Sequence, residues 1–280
     1  MNFEIINDFT RNNIEFNFKE YYQLLKLKEE NWRNYNQLYP FPNEIIISIL
    51  FSLARKYKIC TKNVHYSICL IQRYLGLFEF NKKNQSPNKL SSSSSSSTLS
   101  STSSSSSLKE LNEFQISICA LNISCKLNQV YWCKTFEFKS IINSYFEKDD
   151  YLRVEIEFLS IIRFHITIPL ISDFVGIIID GFYLSKNQED TYKSIIDFIY
   201  FKPNEFLCKQ SFTLLALSVL CITFSIHDPT SLNFYIKWAS NISNYTFQSL
   251  QLQINNIIKI VFNNKMTLKV FNEQIWGNKK

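Results

Sequence analysis

A lysine and a glutamate mark two apolar helical patterns in this chain. Lys126 closes a run that starts at Ile118, and Glu155 stands 29 residues later, in a run that starts at Tyr151. Both runs have the apolar spacing of helices that bury one face. Two packed helices can bring these charges together and present them as one polar patch to a partner protein. The alternative is a salt bridge on a solvated face of a helical bundle, without any partner.

The sequence lacks the motifs of the common enzyme classes. Its four glycines form neither a GxGxxG nor a GxxxxGKS/T phosphate loop, and GxSxG and HExxH are absent as well. His65, His165 and His227 are far apart and have no evident acidic or thiol partner, so we expect satisfied or exposed histidines. Because no acid–base or nucleophile constellation is visible, we do not expect an enzyme.

The seven cysteines indicate reduced, buried thiols. No CxxC pair occurs, most of the cysteines lie in apolar helical runs, and the N-terminus lacks the basic and apolar zones of a signal peptide. We therefore expect an intracellular protein. Zinc binding by Cys119, Cys125 and Cys133 is an alternative. Their spacing fits no standard zinc module, so no metal or other cofactor is expected.

Charge and apolar content bear on membranes and nucleic acids as partners. The net charge of +6 is spread along the chain, which favours a solvated surface over a nucleic-acid-binding face. The longest uncharged apolar run, 212–226, is short for a membrane span and is flanked by Lys209 and His227. We expect a buried core helix there, and neither a membrane nor a nucleic acid as partner.

Helical patterns fill the chain except in one tract. Serine occupies fourteen of the seventeen positions in 91–107, and such a tract cannot bury enough apolar surface to offset its ordering entropy. We predict that residues 82–110 are a disordered loop inserted into a folded domain. Pro169 opens a second series that repeats the rhythm of the first, so two five-helix units in tandem fit the length. The predicted helices span residues 17–36, 43–57, 61–77, 111–127, 134–146, 149–163, 170–184, 189–200, 204–226, 231–241 and 245–262.

Taken together, these segments resemble the cyclin family. Residues 57–75, which end in Gln72-Arg73-Tyr74-Leu75, are similar to the second cyclin-box helix with its closing Asp-Arg-aromatic-Leu motif. Residues 119–126 resemble the third helix with its terminal Lys, and residues 152–155 resemble the start of the fifth. Residues 164–169 are similar to the exit towards the second box, where cyclins keep a Phe and a Pro. The interval from Lys126 to Glu155 also matches the family spacing.

The resemblance implies a fold and a function. The fold would be all-α, with an N-terminal helix and lead-in at 1–36, a first cyclin box at 37–169, a second, divergent box at 170–262 and a tail at 263–280. A cyclin is a regulatory subunit that holds the mobile helix of a cyclin-dependent protein kinase inward, in the nucleus or the cytoplasm. By resemblance, the kinase-binding residues are Lys126, Leu127, Glu155, Leu159, Phe164 and Ile166.

Departures from the family pattern bear on substrate docking. The family's paired Arg and Asp are replaced here by Asn43 and Gln72, which could share a neutral hydrogen bond instead. Residues 42–46 replace the docking stretch of cell-cycle cyclins, and Ile49 stands where a Trp is expected. We therefore do not expect the family's usual substrate docking through this surface.

A phosphorylation motif precedes the serine tract. Ser86-Pro87-Asn88-Lys89 reads Ser-Pro-x-Lys, a pattern that cyclin-dependent kinases phosphorylate. Phosphate on Ser86 would add negative charge near Lys82 and Lys83. A chance match in a Ser-rich loop is the alternative.

Two other functions stay open at this point. A cyclin-fold transcription adaptor, resembling the general initiation factor that bridges promoter DNA and polymerase, would suit two boxes and a positive charge. Such proteins usually carry an N-terminal zinc ribbon, whereas no cysteine precedes Cys60 here. The other alternative is a degenerate cyclin that keeps the fold and binds other proteins as a scaffold.

Overall fold

A computed structural model describes residues 14–36, 41–85, 113–128, 140, 142–144, 146, 150–180, 183–208, 210–228 and 232–263. Every regular element in these ranges is a helix, which confirms the predicted all-α fold. The helices that we number are α1 (Ile14–Asn36), α2 (Glu44–Lys56), α3 (Thr61–Gln85), α4 (Glu113–Asn128), α5 (Asp150–Ile161), α6 (Ile171–Ile178), α7 (Lys186–Phe201), α8 (Pro203–Phe206), α9 (Phe212–His227), α10 (Leu232–Ile242) and α11 (Phe247–Asn263).

Short polar side chains cap the N-termini of several of these helices. The Asn43 side chain accepts a hydrogen bond from the backbone N–H of Ile46 at the start of α2. Ser185 and Gln188 form a reciprocal capping box at the start of α7, and Ser211 caps α9. Such caps satisfy backbone N–H groups that the first helical turn leaves without partners, and each contributes about 1 kcal/mol.

Two helices form the centres of the packing. α3 contacts α1, α2, α4 and α5, and its residues from Asn63 to Tyr74 are all buried. α9 contacts α6, α7, α10 and α11, and every residue from Phe212 to Thr223 is buried. A helix that is apolar all round belongs inside a core, as expected for 212–226. No helix in the described ranges combines the length and the apolar composition that crossing a membrane requires.

Helix α1 joins the two series of helices, because it contacts both α3 and α6. The buried Glu29 carboxylate accepts a hydrogen bond of 2.6 Å from the backbone N–H of Phe212, the first residue of α9. Arg33 pairs with Glu29 at 2.8 Å and donates to the carbonyl of Gln210. Trp32 packs on the ring of Phe212, with 5.0 Å between the centroids. The N-terminal helix therefore caps and covers the start of the second central helix.

Some elements differ from the sequence prediction for identifiable reasons. Residues 82–85, which the sequence analysis assigns to the insertion, continue α3, because nothing breaks the helix before Pro87. The predicted helix 204–226 is two helices, since Ser211 provides a new N-cap in front of α9. The helix predicted at 170–184 ends at Ile178, ahead of Gly181. The remainder of the predicted insertion and most of the helix predicted at 134–146 lie outside the described residues.

Candidate functional site

The candidate site is formed where α4 packs against α5. Asn122 contacts Tyr151, and one helical turn later Lys126 contacts Glu155. Both pairs are separated by 29 residues in sequence. Because each contact advances by four residues on both helices, the two helices run locally in the same direction and in one register.

The second of these contacts is the ion pair that the sequence predicts. Lys126 Nζ lies 2.5 Å from Glu155 Oε1 and 2.8 Å from Glu155 Oε2, so the ammonium group contacts both carboxylate oxygens. The lysine side chain is 46% exposed, whereas the glutamate side chain is only 10% exposed. The Lys126 ammonium group therefore faces solvent, whereas the Glu155 carboxylate is largely buried. Binding of a partner to this pair stays a prediction.

A buried tyrosine lies one helical turn before this glutamate on α5. The Tyr151 hydroxyl accepts a hydrogen bond from the Asn122 side-chain amide. Burial raises the pKa of Tyr151 well above its usual range, and the neighbouring Glu155 charge adds to this increase. The hydroxyl therefore keeps its proton at neutral pH. Sequence reasoning missed both residues, although a buried Asn inside an apolar run was a signal for a specific polar contact.

Exposed apolar side chains lie on the same two helices and on the exit from α5. Leu152 and Ile156 are 66% and 61% exposed and stand one turn apart on α5. Leu127, at the end of α4, and Phe164, three residues after α5, are exposed as well. The sequence analysis named Leu127 and Phe164 and missed Leu152 and Ile156. Helical spacing could have predicted that Leu152 and Ile156 lie on the face of α5 opposite its buried residues.

The C-terminus of α5 fixes where Phe164 emerges. The Phe164 N–H donates to the Leu159 carbonyl at 2.8 Å, and the Arg163 N–H donates to the Ser160 carbonyl at 3.0 Å. These two bonds form a Schellman motif, which usually has Gly at its left-handed position. Here Arg163 and Phe164 take φ values of 55° and 54°. Two side-chain-bearing residues in this region make the turn strained, and strain of this kind often accompanies a functional surface.

The other predicted residues have different surroundings. Leu159 and Ile166 are half-buried against the hydrophobic core, so packing accounts for part of each side chain. Asn43 caps α2 and donates to the Glu113 carboxylate at 3.3 Å, while Gln72 is buried in α3. Ser86 lies outside the described residues.

No metal centre is assembled by the part of the chain that the structure describes. Within it, no group of three or more His, Cys, Asp or Glu side chains is placed to hold an ion. Cys119 and Cys125 are buried thiols that form no disulfide, and Cys133 lies outside the described residues. Burial raises the pKa of the Cys119 thiol well above its usual range, which disfavours the thiolate that zinc requires.

Comparison with solved structures shows which known fold the chain resembles. No protein-family model matches the chain, and no curated protein sequence matches it. Among solved structures, the chain is similar to a viral cyclin from herpesvirus saimiri, with a TM-score of 0.52 over 85% of this chain and 98% of that chain. The chain has a cyclin-like fold. The two sequences are 13% identical, so the likeness shows the fold alone.

Within the cyclin-like fold, the structure brings together part of the predicted site. Lys126 and Glu155 are in direct contact, and Leu127 follows the lysine at the end of α4. Leu159 stands one turn beyond Glu155 on α5, and Phe164 and Ile166 follow in the exit segment. We refer to Lys126, Glu155 and the exposed Leu127, Leu152, Ile156 and Phe164 as the α4–α5 surface.

Proposed function

We propose that this cyclin-like chain is a regulatory subunit that binds and activates a cyclin-dependent protein kinase, in cell-cycle, meiotic or transcriptional control. The observation that carries the proposal is the Lys126–Glu155 pair, half open to solvent, with exposed apolar side chains on the same two helices and on the exit from α5. The pair stands at the interval that the family uses for kinase contact. The viral cyclin's similar architecture supports the same interpretation.

Apolar contacts would supply most of the binding free energy. Leu152, Ile156 and Phe164 are each more than half exposed, so a partner that covered them would remove a large apolar area from water. Complete burial of one such side chain contributes about 1.5–3 kcal/mol. Desolvated aromatic and aliphatic anchors of this kind dominate many protein interfaces, although only part of the gain remains after the costs of association.

The charged pair would chiefly determine orientation. Lys126 already contacts both oxygens of Glu155, so the pair can meet a partner's polar groups without first ordering two flexible side chains. Charges at the edge of an interface affect specificity and the association rate more than affinity. We therefore expect the pair to select the register in which a kinase helix docks.

Activation would follow from preferential binding to one kinase conformation. If the α4–α5 surface contacts the mobile kinase helix only in its inward position, binding shifts the kinase population towards that position. The inward helix completes the internal Lys–Glu pair of the kinase that positions ATP. The cyclin-like chain itself would contribute no catalytic group.

The decisive experiment compares two ion pairs. Tagged wild-type chain, the double variant Lys126→Glu/Glu155→Lys and the control double variant Lys62→Glu/Asp173→Lys are purified with their partners for mass spectrometry. The control pair is well matched, because Lys62 lies 2.7 Å from Asp173 and its side chain is also 46% exposed. We expect a cyclin-dependent kinase with the wild type and the control, and none with the α4–α5 variant. The recovered kinase is then assayed for phosphorylation of a Ser-Pro peptide.

Other outcomes would contradict the proposal. Recovery of no kinase by a folded wild-type chain would exclude a kinase regulator. Salt-dependent retention of DNA would then favour the transcription adaptor, and recovery of non-kinase proteins would favour the scaffold. Equal kinase recovery by all three chains would place the kinase contact elsewhere on the molecule.

A further inference from the structure

Two helices of this chain end in the same hydrogen-bonded turn. At the end of α2, the Ile59 N–H donates to the Ala54 carbonyl at 2.8 Å. The Lys58 N–H donates to the Arg55 carbonyl at 3.4 Å, and Lys58 has a φ of 53°. This is the Schellman motif, with its left-handed residue at position 58. The same bonds end α5, where Arg163 is the left-handed residue, so the two turns can be compared position by position.

The residue after the left-handed position differs between the two turns. Ile59 is 4% exposed and belongs to the hydrophobic core, as expected, because this position of a Schellman motif usually packs back on its helix. Phe164, at the same position after α5, is 62% exposed. Phe164 also has a φ of 54°, whereas Ile59 does not adopt a positive φ. A second left-handed residue in succession thus accompanies the exposure of the aromatic ring.

The backbone of Phe164 is held from both sides. Its N–H donates to the Leu159 carbonyl at 2.8 Å, and its carbonyl accepts a hydrogen bond of 2.9 Å from the Ile166 N–H. Ile162 and Ile168, on either side of the turn, are both buried. The exposed ring is therefore attached to a backbone that packing and hydrogen bonds keep in place.

Folding stability does not account for this arrangement. A left-handed conformation is unfavourable for a residue that has a Cβ atom, and two such residues occur in succession here. An exposed phenylalanine contributes little of the apolar burial that stabilises a fold. The turn after α2 shows that the same chain can end a helix with one left-handed residue and a buried side chain. Backbone strain beneath an exposed aromatic ring therefore indicates a function other than folding.

We infer that the turn after α5 is a positioning element, in which Arg163 and the backbone of Phe164 hold the Phe164 ring in the orientation that enters an apolar pocket of the partner. This inference deepens the proposed function and rests on it for the identity of that partner as a kinase. A side chain that is already fixed loses less conformational entropy on binding than a mobile one. The turn would thus increase the contribution of this aromatic anchor to affinity.

The first experiment separates a role in binding from a role in folding. Thermal midpoints from circular dichroism and affinities for a recombinant cyclin-dependent kinase are measured for wild type, Phe164→Gly and the matched variant Ile59→Gly. Phe164→Gly should keep the midpoint within about 2 °C of wild type, because relief of strain offsets the lost contacts, and should weaken binding about tenfold or more. Ile59→Gly should lower the midpoint by more than about 5 °C. Equally lowered midpoints would overturn the inference, since Phe164 would then stabilise the core.

The second experiment tests whether the conformation of residue 163 acts through Phe164. Glycine adopts the left-handed region without steric cost, whereas a β-branched valine rarely does. Both substitutions remove the same charge, so Arg163→Gly should bind the kinase about fivefold more tightly than Arg163→Val. With Phe164→Ala present as well, the two should differ by less than about twofold. Equal ratios in both backgrounds would mean that residue 163 does not position Phe164.

Lys58 provides the matched control for these substitutions. Lys58→Gly and Lys58→Val change the left-handed residue of the α2 turn in the same way, and their affinities for the kinase should agree within about twofold. A difference as large as that at Arg163 would assign the effect to general stability and overturn the inference. If Arg163→Val fails to fold by circular dichroism, Arg163→Ala replaces it. Binding about twofold or more weaker than that of Arg163→Gly would then support the inference, and equal binding would contradict it.

A third measurement needs no partner. A protease cleaves only where the backbone can open locally, so a fixed turn should resist chymotrypsin although the Phe164 ring is exposed. The rate of cleavage after Phe164, relative to cleavage after the 83% exposed Tyr183, should be about fivefold higher in Arg163→Val than in Arg163→Gly. Equal rates would overturn the inference. The expected rates, together with a folded wild-type chain that binds no kinase, would support the positioning element and contradict the proposed function instead.

Discussion

The imidazole of His65 lies 2.8 Å from the carboxylate of Asp197, and both side chains are buried where α3 meets α7. The ring of His65 also stacks on Tyr200, with 4.1 Å between the centroids. The sequence analysis found no acidic partner for this histidine, because that partner comes from the second series of helices. A buried imidazole–carboxylate contact thus joins the two series, beside the more exposed pairs Lys62–Asp173 and Glu44–Lys202.

Removal of Asp197 should destabilise the whole chain. Asp197→Ala leaves the buried imidazole without its carboxylate, which should cost about 1–3 kcal/mol of the free energy of unfolding, measured by urea denaturation. Glu189→Ala is the control, since the Glu189–Lys193 pair is largely exposed and should change stability by less than about 0.5 kcal/mol. Equal small effects of both variants would show that the buried pair does not join the two series energetically.

Two substitutions of Arg163 test the backbone strain at the end of α5. Arg163 has a φ of 55°, a conformation that glycine adopts without steric cost. Arg163→Gly should therefore be more stable than Arg163→Ala by about 1 kcal/mol, because both remove the same charge and only Ala retains a Cβ. Thermal unfolding followed by circular dichroism measures the difference. The reverse order would argue against the left-handed conformation at this residue.

The thiols should divide into two reactivity classes. Cys60 and Cys208 are exposed, whereas Cys69, Cys119 and Cys221 are buried. Burial raises the pKa of the Cys221 thiol to about 12, so little reactive thiolate is present at neutral pH. Iodoacetamide followed by mass spectrometry should label the first two within minutes and the other three only after urea is added. Rapid native labelling of Cys119 would contradict the packing of α4.

Alkaline pH should weaken the fold through its buried tyrosines. Burial raises the pKa of Tyr66 to about 12, against an unfolded value near 10. The protonated form is favoured in the folded state, so this stabilisation is complete below pH 10 and is lost as the pH rises through about 12. Urea midpoints measured near pH 9 and near pH 11 should differ less for Tyr66→Phe than for wild type. Tyr21→Phe, at an exposed position, should behave as wild type does.

Phosphorylation of Ser86 remains a prediction from sequence. The chain co-expressed with the cyclin-dependent kinase that we propose as its partner should carry phosphate on Ser86. Ser86→Ala should lose that signal and still bind the proposed kinase. Phosphopeptide mass spectrometry measures both. An unmodified Ser86 in a chain that retains an active kinase would mean that the Ser-Pro-x-Lys match arose by chance.

Much of the fold could be predicted because its signals are local. Amphipathic spacing predicts α4 and α5. The end of α3 is predicted too early, although the helix-forming sequence continues up to Pro87. Short polar residues such as Ser185 and Ser211 act on the backbone a few residues away, so their capping role follows from sequence. The contact between Lys126 and Glu155 was predictable because both ends of one interval matched a known helix pair.

The sequence by itself thus determined the helical class, the Lys126–Glu155 contact and the absence of common catalytic motifs. Only the tertiary structure decided which apolar residues are covered: Leu159 is half-buried and Leu152 is exposed, although both belong to the same apolar run. It alone placed Asp197 beside His65 and the Tyr151 hydroxyl beside the Asn122 amide. The reason is physical, since helical periodicity specifies a face of one helix, whereas packing between distant segments determines what that face meets.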